Sequence, residues 1–258
     1  MNASRKSALH PNPVRRSQIR AGLGGAGLSA LLGLALWQCP GVGDWFNALS
    51  FDLLTLARGS RSVPEVVIVA MDEESHQRLG QPADKLWDRS LHARLVDTLM
   101  ARGARVVVFD VVFADKWPDP AVDQAFAQAL QRASGKVMLA AKLLSFEEEA
   151  RAAGSRVLHP VEPLASAAPW GVVELALDPG GALRRAPLPV PALAESPLAY
   201  KAAELSGIPL PETEDQRWIA YYGPRPFRQI SYWQAMEPEK LPPDVFSNKV
   251  VFVGQTRV

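Results

Sequence analysis

The clearest feature of the chain is an alternation of continuous apolar runs with segments of helical periodicity. Runs rich in β-branched residues, typical of strands buried on both faces, occupy residues 65–71, 105–113 and 136–142. Between them, residues 89–102 and 121–133 place apolar side chains every three or four positions, as amphipathic helices do. Because this alternation is the order of right-handed parallel crossovers, it predicts an α/β fold with a mostly parallel central sheet and flanking helices.

The second half of the chain has a less regular pattern. Residues 145–170 predict a surface excursion with a short acidic helix. Further strands are predicted at 172–176, 182–190, 218–222 and 249–253, and short helices at 197–206 and 230–236. We expect residues 249–253 to join the sheet that contains 65–71 and 105–111, because so apolar a run needs a buried position.

An uncharged stretch precedes the α/β pattern. Residues 21–37 are almost wholly apolar or small, and as a helix they span roughly 25 Å, the short end for a bilayer crossing. The basic residues before this stretch are Arg5, Lys6, Arg15, Arg16 and Arg20. No acidic residue accompanies them, so we predict a cytoplasmic tail over 1–18 and a transmembrane helix over 19–38. The domain at 44–258 is then periplasmic or extracellular, held at the inner (plasma) membrane of a bacterium.

Small residues recur every four positions in the apolar stretch. They are Ala21, Gly25, Ser29 and Gly33. Such a face lets two membrane helices approach closely, and it predicts a homodimer, although small residues are also common in membrane helices in general. A cleaved signal peptide is a second interpretation, since 33–35 resembles a cleavage site, but the apolar stretch is longer than usual for one.

Composition excludes several classes of protein. Hydrophobic residues make up 48% of the 258 residues and charged residues 21%, which is typical of a folded globular protein. One cysteine excludes a disulfide scaffold and any multi-cysteine metal site. Residues 44–258 carry 23 basic and 27 acidic side chains, a net charge of −4 that is unsuited to nucleic acid.

Candidate binding residues follow the predicted strands. Asp72 and Asp110 end what we expect to be neighbouring parallel strands, where α/β folds bind ligands. Two acids there suit a cation, an amine-bearing ligand or a general base, or each simply caps the next helix. Arg89 and His92, at the start of a helix, suit an anion or a solvated helix end. With Ser75, these residues form the predicted ligand site.

Motifs of known chemistry are missing from the sequence. No pair of histidines has zinc-ligand spacing, and neither a phosphate-binding loop nor a nucleophile elbow is present. We therefore predict no catalytic residues, no metal ligands and no cofactor. The alternative hypothesis is a secreted or anchored α/β hydrolase-type enzyme that uses Asp72 and Asp110, with or without a metal.

Several segments, in this order, resemble a known family of signalling domains. They are FDLLTLARG with Asp52, VVIVAMDEESHQRLG, RSLHARLVDTLMARGARVVVFDVVF, Asp123 in the next helix, DPGGALRRAPL, IAYYGPRPFRQISYWQAM and KVVFVGQT. Over residues 44–256 the chain resembles the type-two CHASE domain, a sensory extracellular domain found beside cyclases and histidine kinases. Residues 83–88 depart from the resemblance, because the family usually has a proline–tryptophan–proline run there.

The resemblance implies a sensor without catalytic activity of its own. Family members generally continue into transmembrane helices and a cytoplasmic output domain, such as an adenylate or guanylate cyclase or a kinase, whereas this sequence stops at Val258. We therefore expect a membrane-anchored sensory domain that binds an unknown small-molecule or protein stimulus. The stimulus would be transmitted through the membrane helix to an output outside this sequence.

Overall fold

A computed structural model describes most of the chain. The described residues are 13–38, 41–82, 85–145, 155–173, 177–178, 180–186, 196–209 and 217–256. By internal contacts the chain divides into two compact units, Met1–Arg58 and Gly59–Val258.

The first unit contains two helices in contact with each other, α1 (Pro13–Gln38) and α2 (Val42–Arg58). The helix predicted over 19–38 is therefore present as a helix, and it begins earlier than expected. Among the residues that the structure describes, no helix is both long enough and apolar enough to cross a membrane. Leucines in α1 are exposed, namely Leu23, Leu28, Leu31, Leu32, Leu34 and Leu36.

The second unit is built on a seven-stranded sheet. Its strands are β1 (Val66–Met71), β2 (Val106–Val112), β3 (Val137–Ser145), β4 (Ser155–Leu158), β5 (Trp170–Val173), β6 (Arg228–Ser231) and β7 (Val250–Gln255). The order is β4-β3-β2-β7-β1-β6, and β5 also pairs with β3. All pairs are parallel except β3 with β4, so the predicted α/β fold with a mostly parallel sheet is confirmed.

The last strand of the described chain lies in the middle of the sheet. β7 pairs with β1 on one side and with β2 on the other, and Val251 is in register with both Val67 and Val107. The prediction that residues 249–253 join this sheet is confirmed. Val251 and Val253 are fully buried, as expected for a strand with neighbours on both edges.

Aspartates precede three of the helices in the second unit, those that begin at Glu73, Arg89 and Pro120. The helices of this unit are α3 (Glu73–Arg78), α4 (Arg89–Ala101), α5 (Pro120–Arg132), α6 (Leu164–Ala167), α7 (Leu198–Leu205) and α8 (Tyr232–Ala235). The Asp88 carboxylate accepts the Ser90 N–H at 2.9 Å, and Asp119 accepts that of Ala121 at 2.9 Å. Each carboxylate satisfies a backbone donor that has no partner within its helix, which fixes where α4 and α5 start.

The helices α4 and α5 cover one face of the sheet and form the main core. They contact each other, and the apolar stripe predicted for residues 89–102 is buried, including Leu95 and Leu99 at 0% exposure. Phe109 of β2 and Phe126 of α5 are also 0% exposed. Burying one such side chain contributes about 1.5–3 kcal/mol, so this face anchors the strands whose ends form the site.

The opposite face of the sheet is covered unevenly. Leu198 and Ala202 of α7 pack on the half formed by β2 and β3. Gly171 of β5 allows this close approach, because a Cβ there would lie 2.8 Å from the Cα of Leu198. On the other half, Ile68 and Phe252 are half-buried and line a shallow apolar cavity of about 410 Å³.

Some sequence-based predictions need correction. The strand expected at 172–176 is observed as Trp170–Val173, and residues 174–176 lie outside the described residues. The segment 218–222 contributes an isolated bridge, from Trp218 to Arg185, rather than a strand. The acidic helix expected within 145–170 lies mostly on 146–154, outside the described residues.

Candidate functional site

The parallel strands β1, β2, β6 and β7 end on one side of the sheet, which we call the carboxyl edge; ligands bind at such edges in open α/β folds. A cavity of about 410 Å³ opens there. Its lining residues are Met71, Lys85, Leu86, Trp87, Arg89, His92, Asp110, Val111, Val112, Phe113 and Gln255. Cavities that hold small molecules measure about 300–1,000 Å³, so the space suits a small ligand.

Asp110 presents a carboxylate without a partner. It lies near the end of β2, opposite Gly254 of β7, where a Cβ would stand 3.4 Å from that of Asp110. Among the described residues, none forms a hydrogen bond or an ion pair with this carboxylate. Although the residue as a whole is exposed to solvent, partial burial of its carboxyl raises its pKa above the usual value.

Arg89 is held in the core beside the cavity. It is 1% exposed, and its guanidinium donates to the Asp123 carboxylate and to the backbone carbonyl of Asp115. The Asp123 carboxylate also accepts the Trp117 N–H at 3.0 Å. Within the described structure, the Nε of Arg89 is buried and has no hydrogen-bond partner. The charge of Arg89 is therefore compensated, while one of its donors remains unused.

His92 forms an uncharged part of the cavity wall. It is 1% exposed, and its Nδ1 lies 3.0 Å from the hydroxyl oxygen of Tyr232. Five aromatic rings pack around it, those of Trp87, Phe109, Phe113, Phe126 and Tyr232. Burial, with a smaller contribution from the positive Arg89, lowers the pKa of His92 to about 3. The imidazole is therefore neutral near pH 7 and cannot serve as a cationic anchor there.

The predicted site residues Asp72 and Ser75 lie outside this cavity. The carboxylate of Asp72 accepts the backbone N–H of Ser75 at 2.9 Å, its hydroxyl at 2.6 Å, and the hydroxyl of Ser231. Burial alone raises the pKa of Asp72, but the hydrogen bonds from Ser231 and Ser75 together outweigh burial and hold it below the usual value. Asp72 therefore caps α3 and ties the end of β1 to the end of β6.

The expectation that Asp72 and Asp110 end neighbouring strands is wrong. β7 lies between β1 and β2, so two strand spacings, roughly 10 Å, separate the two chain positions. In the part of the chain that the structure describes, no group of three or more His, Cys, Asp or Glu side chains could hold a metal ion. The described residues thus do not bring the two acids together at one site, as the hydrolase-type alternative required.

Comparison with known proteins supplies the family. The sequence profile of the CHASE2 domain matches residues 28–258, nearly the whole chain. The chain belongs to the CHASE2 domain family. No curated protein and no solved structure matches the chain. CHASE2 domains are sensory extracellular domains of signalling proteins and are not themselves catalytic.

Some cavity residues of this CHASE2 domain were not predicted from the sequence. Lys85 and Trp87 lie in the stretch 83–88 that departs from the family pattern, a signal that could have drawn attention to them. Trp87 is 3% exposed, and its Nε1 donates to Nδ1 of His76 at 3.2 Å. Gln255 reaches the cavity because β7 is central, which no local pattern reveals.

The polar groups of the cavity suit recognition of a small polar molecule. In this CHASE2 domain the lining residues include one acidic side chain, Asp110, and two basic ones, the exposed Lys85 and the buried Arg89. Gln255 offers both a donor and an acceptor. A bound ligand is oriented by the few polar groups that line its cavity and have no protein partner.

Proposed function

We propose that this CHASE2 domain is the sensory part of a signal-transduction protein and that it recognises a small-molecule stimulus in the cavity at the carboxyl edge. The observation that carries the proposal is the cavity itself, whose lining includes Lys85 and Asp110, a carboxylate that no described residue pairs with. Side chains at a cavity that have no protein partner are positions where a ligand atom can bind.

The arrangement also offers a route for transmission. Asp110 lies on a central strand, whereas Lys85 lies in the irregular segment that precedes α4. A ligand that contacts both would favour one position of this segment over others. A stimulus shifts an equilibrium only through such a difference in affinity between two arrangements.

The test uses the chain joined to an output that can be measured. Residues 1–258 are fused ahead of the membrane helices and cyclase domain of another CHASE2-containing protein, and cyclic AMP is measured with pools of small metabolites. We expect at least one pool to change the output several-fold. The variant Val111→Phe adds bulk to the cavity wall and is expected to abolish the response, while Arg132→Ala on the exposed surface of α5 should respond like the wild type.

Two results would contradict the proposal. One is that no pool changes the cyclic AMP level although the fusion is folded and its basal cyclase activity is present. The other is that Val111→Phe, folded as judged by circular dichroism, responds to the same pool as strongly as the wild type.

Anchoring in a membrane is a second part of the proposal. The exposed leucines of α1 support it, since Leu23 is 69% and Leu31 66% exposed, together with the five basic residues that precede the apolar stretch 21–37. The residues after α1 would then lie outside the cytoplasm. Alkaline phosphatase fused after Val258 should be active, and a cytoplasmic reporter at the same position inactive. The reverse pattern would overturn this topology.

Self-association through α1 completes the proposal. A Cβ built on Gly25 or Gly33 meets no atom within 4 Å, so this side of α1 is open in the described chain. If the small face of α1 is the contact between two copies, Gly25→Leu with Gly33→Leu should weaken association in a membrane two-hybrid assay. Matched Leu28→Ala and Leu32→Ala substitutions should have less effect. Equal association of the leucine variant and the wild type would exclude this face.

A further inference from the structure

The cavity holds opposite charges on two different parts of the chain. Asp110, on β2, has no cation near enough among the described residues to form an ion pair. Lys85, in the segment before α4, is exposed and likewise makes no ion pair with a described residue. Both line the same space of about 410 Å³, and Asp110 also borders the apolar cavity lined by Ile68 and Phe252. An ammonium group and a carboxylate that share a cavity without neutralising each other leave complementary positions for a ligand of both charges.

The remaining titratable groups at the cavity do not alter this pattern. Arg89 is positive, but it is buried and the carboxylate of Asp123 compensates its charge. His92 is neutral near pH 7, with Nδ1 next to the hydroxyl of Tyr232. The donors Lys85 and Arg89 are four positions apart in sequence, and the acceptor Asp110 is on a different element.

A metal ion fits this donor set poorly. Calcium takes six to eight oxygen ligands and magnesium needs a near-ideal octahedron, whereas Asp110 is a single carboxylate. No further acidic side chain lines the cavity among the described residues. An organic ammonium group needs one carboxylate and one or two further acceptors, which Asp110 and the side-chain carbonyl of Gln255 can supply.

We propose, on the basis of the sensory function inferred above, that the stimulus is a small zwitterion of the amino-acid class. Its ammonium group contacts the Asp110 carboxylate, and its carboxylate contacts the Lys85 ammonium. Charge-assisted hydrogen bonds of this kind are stronger than neutral ones, and they discriminate against molecules that carry only one of the two charges.

The experiment measures binding to the purified 258-residue chain. Each free L-amino acid is tested by thermal shift and then by isothermal titration calorimetry, beside the amine that lacks its carboxylate and the acid that lacks its amine. We expect at least one amino acid to raise the unfolding midpoint in a concentration-dependent way, since a ligand specific for the folded state stabilises it. Its matched amine and acid should bind at least tenfold more weakly.

Variants locate the binding. Asp110→Asn should weaken the affinity at least tenfold, Asp110→Glu less than Asp110→Asn, and Lys85→Met severalfold. Asp97→Asn, in the exposed pair with Arg132, is the matched control and should bind like the wild type. Calorimetry at pH 7 on variants with unchanged unfolding midpoints separates lost contacts from lost folding.

The outcomes distinguish this inference from the proposed function. If no amino acid binds, or if the matched amine binds as tightly as the amino acid, the zwitterion proposal is overturned. If Asp110→Asn binds an amino acid unchanged, the ligand lies elsewhere and the proposal is overturned as well. A different molecule that changes the cyclase output of the wild type but not of Val111→Phe would leave the sensory function standing while this inference fails.

Discussion

The ends of β1 and β2 carry the same side chain in opposite circumstances. Asp72, after β1, accepts three hydrogen bonds, and they keep its pKa low. Asp110, near the end of β2, has no partner among the described residues, and partial burial raises its pKa. The first carboxylate stabilises the fold, because it caps α3 and binds Ser231. The second does nothing visible for the fold, although it lines a cavity.

The hydrogen bonding of the two aspartates indicates which of them is available to a ligand. A carboxylate whose acceptor positions are filled by the protein has no capacity left for a ligand. A carboxylate kept partly desolvated and unpaired reduces stability, and proteins accept such a loss where function requires it. Asp72 therefore has a structural role, whereas the Asp110 carboxylate keeps acceptor positions that no described residue fills.

Breaking the buried ion pair between Arg89 and Asp123 should lower the stability of the protein most. Asp123→Ala leaves the buried guanidinium of Arg89 without its carboxylate, and removing one partner of a buried pair costs about 3–5 kcal/mol. We expect a loss of this size in the free energy of unfolding, measured with urea at pH 7. Asp97→Ala breaks an exposed pair with Arg132 and should change stability little. Equal losses of unfolding free energy in the two variants would show that the buried pair contributes no more to stability than the exposed pair.

Acid should weaken the cavity wall through His92. Its pKa is about 3 in the fold against 6.5 ordinarily, so the unfolded chain binds the extra proton first and stability falls as the pH drops below about 7. Between pH 7 and pH 5 this costs about 2 kcal/mol. The double variant His92→Phe/Tyr232→Phe should lose that much less than the wild type in urea unfolding. An identical pH dependence of both proteins would show that His92 is not held neutral.

Alanine substitution of Asp72 and of Asp110 compares the two strand ends directly. Asp72→Ala removes a helix cap and leaves hydroxyl groups without an acceptor, which should cost about 1–3 kcal/mol in the free energy of unfolding. Asp110→Ala removes a carboxylate that no described residue pairs with, so we expect a change within about 0.5 kcal/mol or a slight gain. Urea unfolding at pH 7 measures both. A larger loss for Asp110→Ala than for Asp72→Ala would reverse the roles assigned here.

The smallest effect is a difference in sign at low pH. The stabilisation by ionised Asp72 is complete above its unfolded pKa and is lost as the pH falls through its lowered folded pKa. The penalty of ionised Asp110 is complete above its raised folded pKa and is relieved as the pH falls through that value. On acidification, the stability of the wild type should therefore fall relative to Asp72→Ala and rise relative to Asp110→Ala. Parallel changes in the two differences would contradict the opposite pKa shifts.

Much of the fold could be predicted because it depends on local periodicity. Strands β1, β2 and β3 and helices α4, α5 and α7 lie close to their predicted positions, since continuous apolar runs and helical stripes are local signals. Three of the predicted ligand-site residues, Arg89, His92 and Asp110, line the cavity, and their binding of a ligand stays a prediction. Asp72 was assigned to the same site because its hydrogen bond to Ser231, 159 positions away, is invisible in a local pattern.

Local patterns in the sequence were enough to predict the class of fold, most of the parallel strands and the family, because apolar periodicity and ordered motifs are properties of the linear chain. Strand β6 was missed, since a short helix was predicted at 230–236. Only the tertiary structure decided that β7 inserts between β1 and β2, that Arg89 meets Asp123, and that Lys85 faces the same cavity as Asp110. Strand order and side-chain pairing depend on contacts between residues far apart in sequence. Asp72 and Asp110 differ in hydrogen bonding and in pKa because the fold places donors next to Asp72, while no described donor lies next to Asp110.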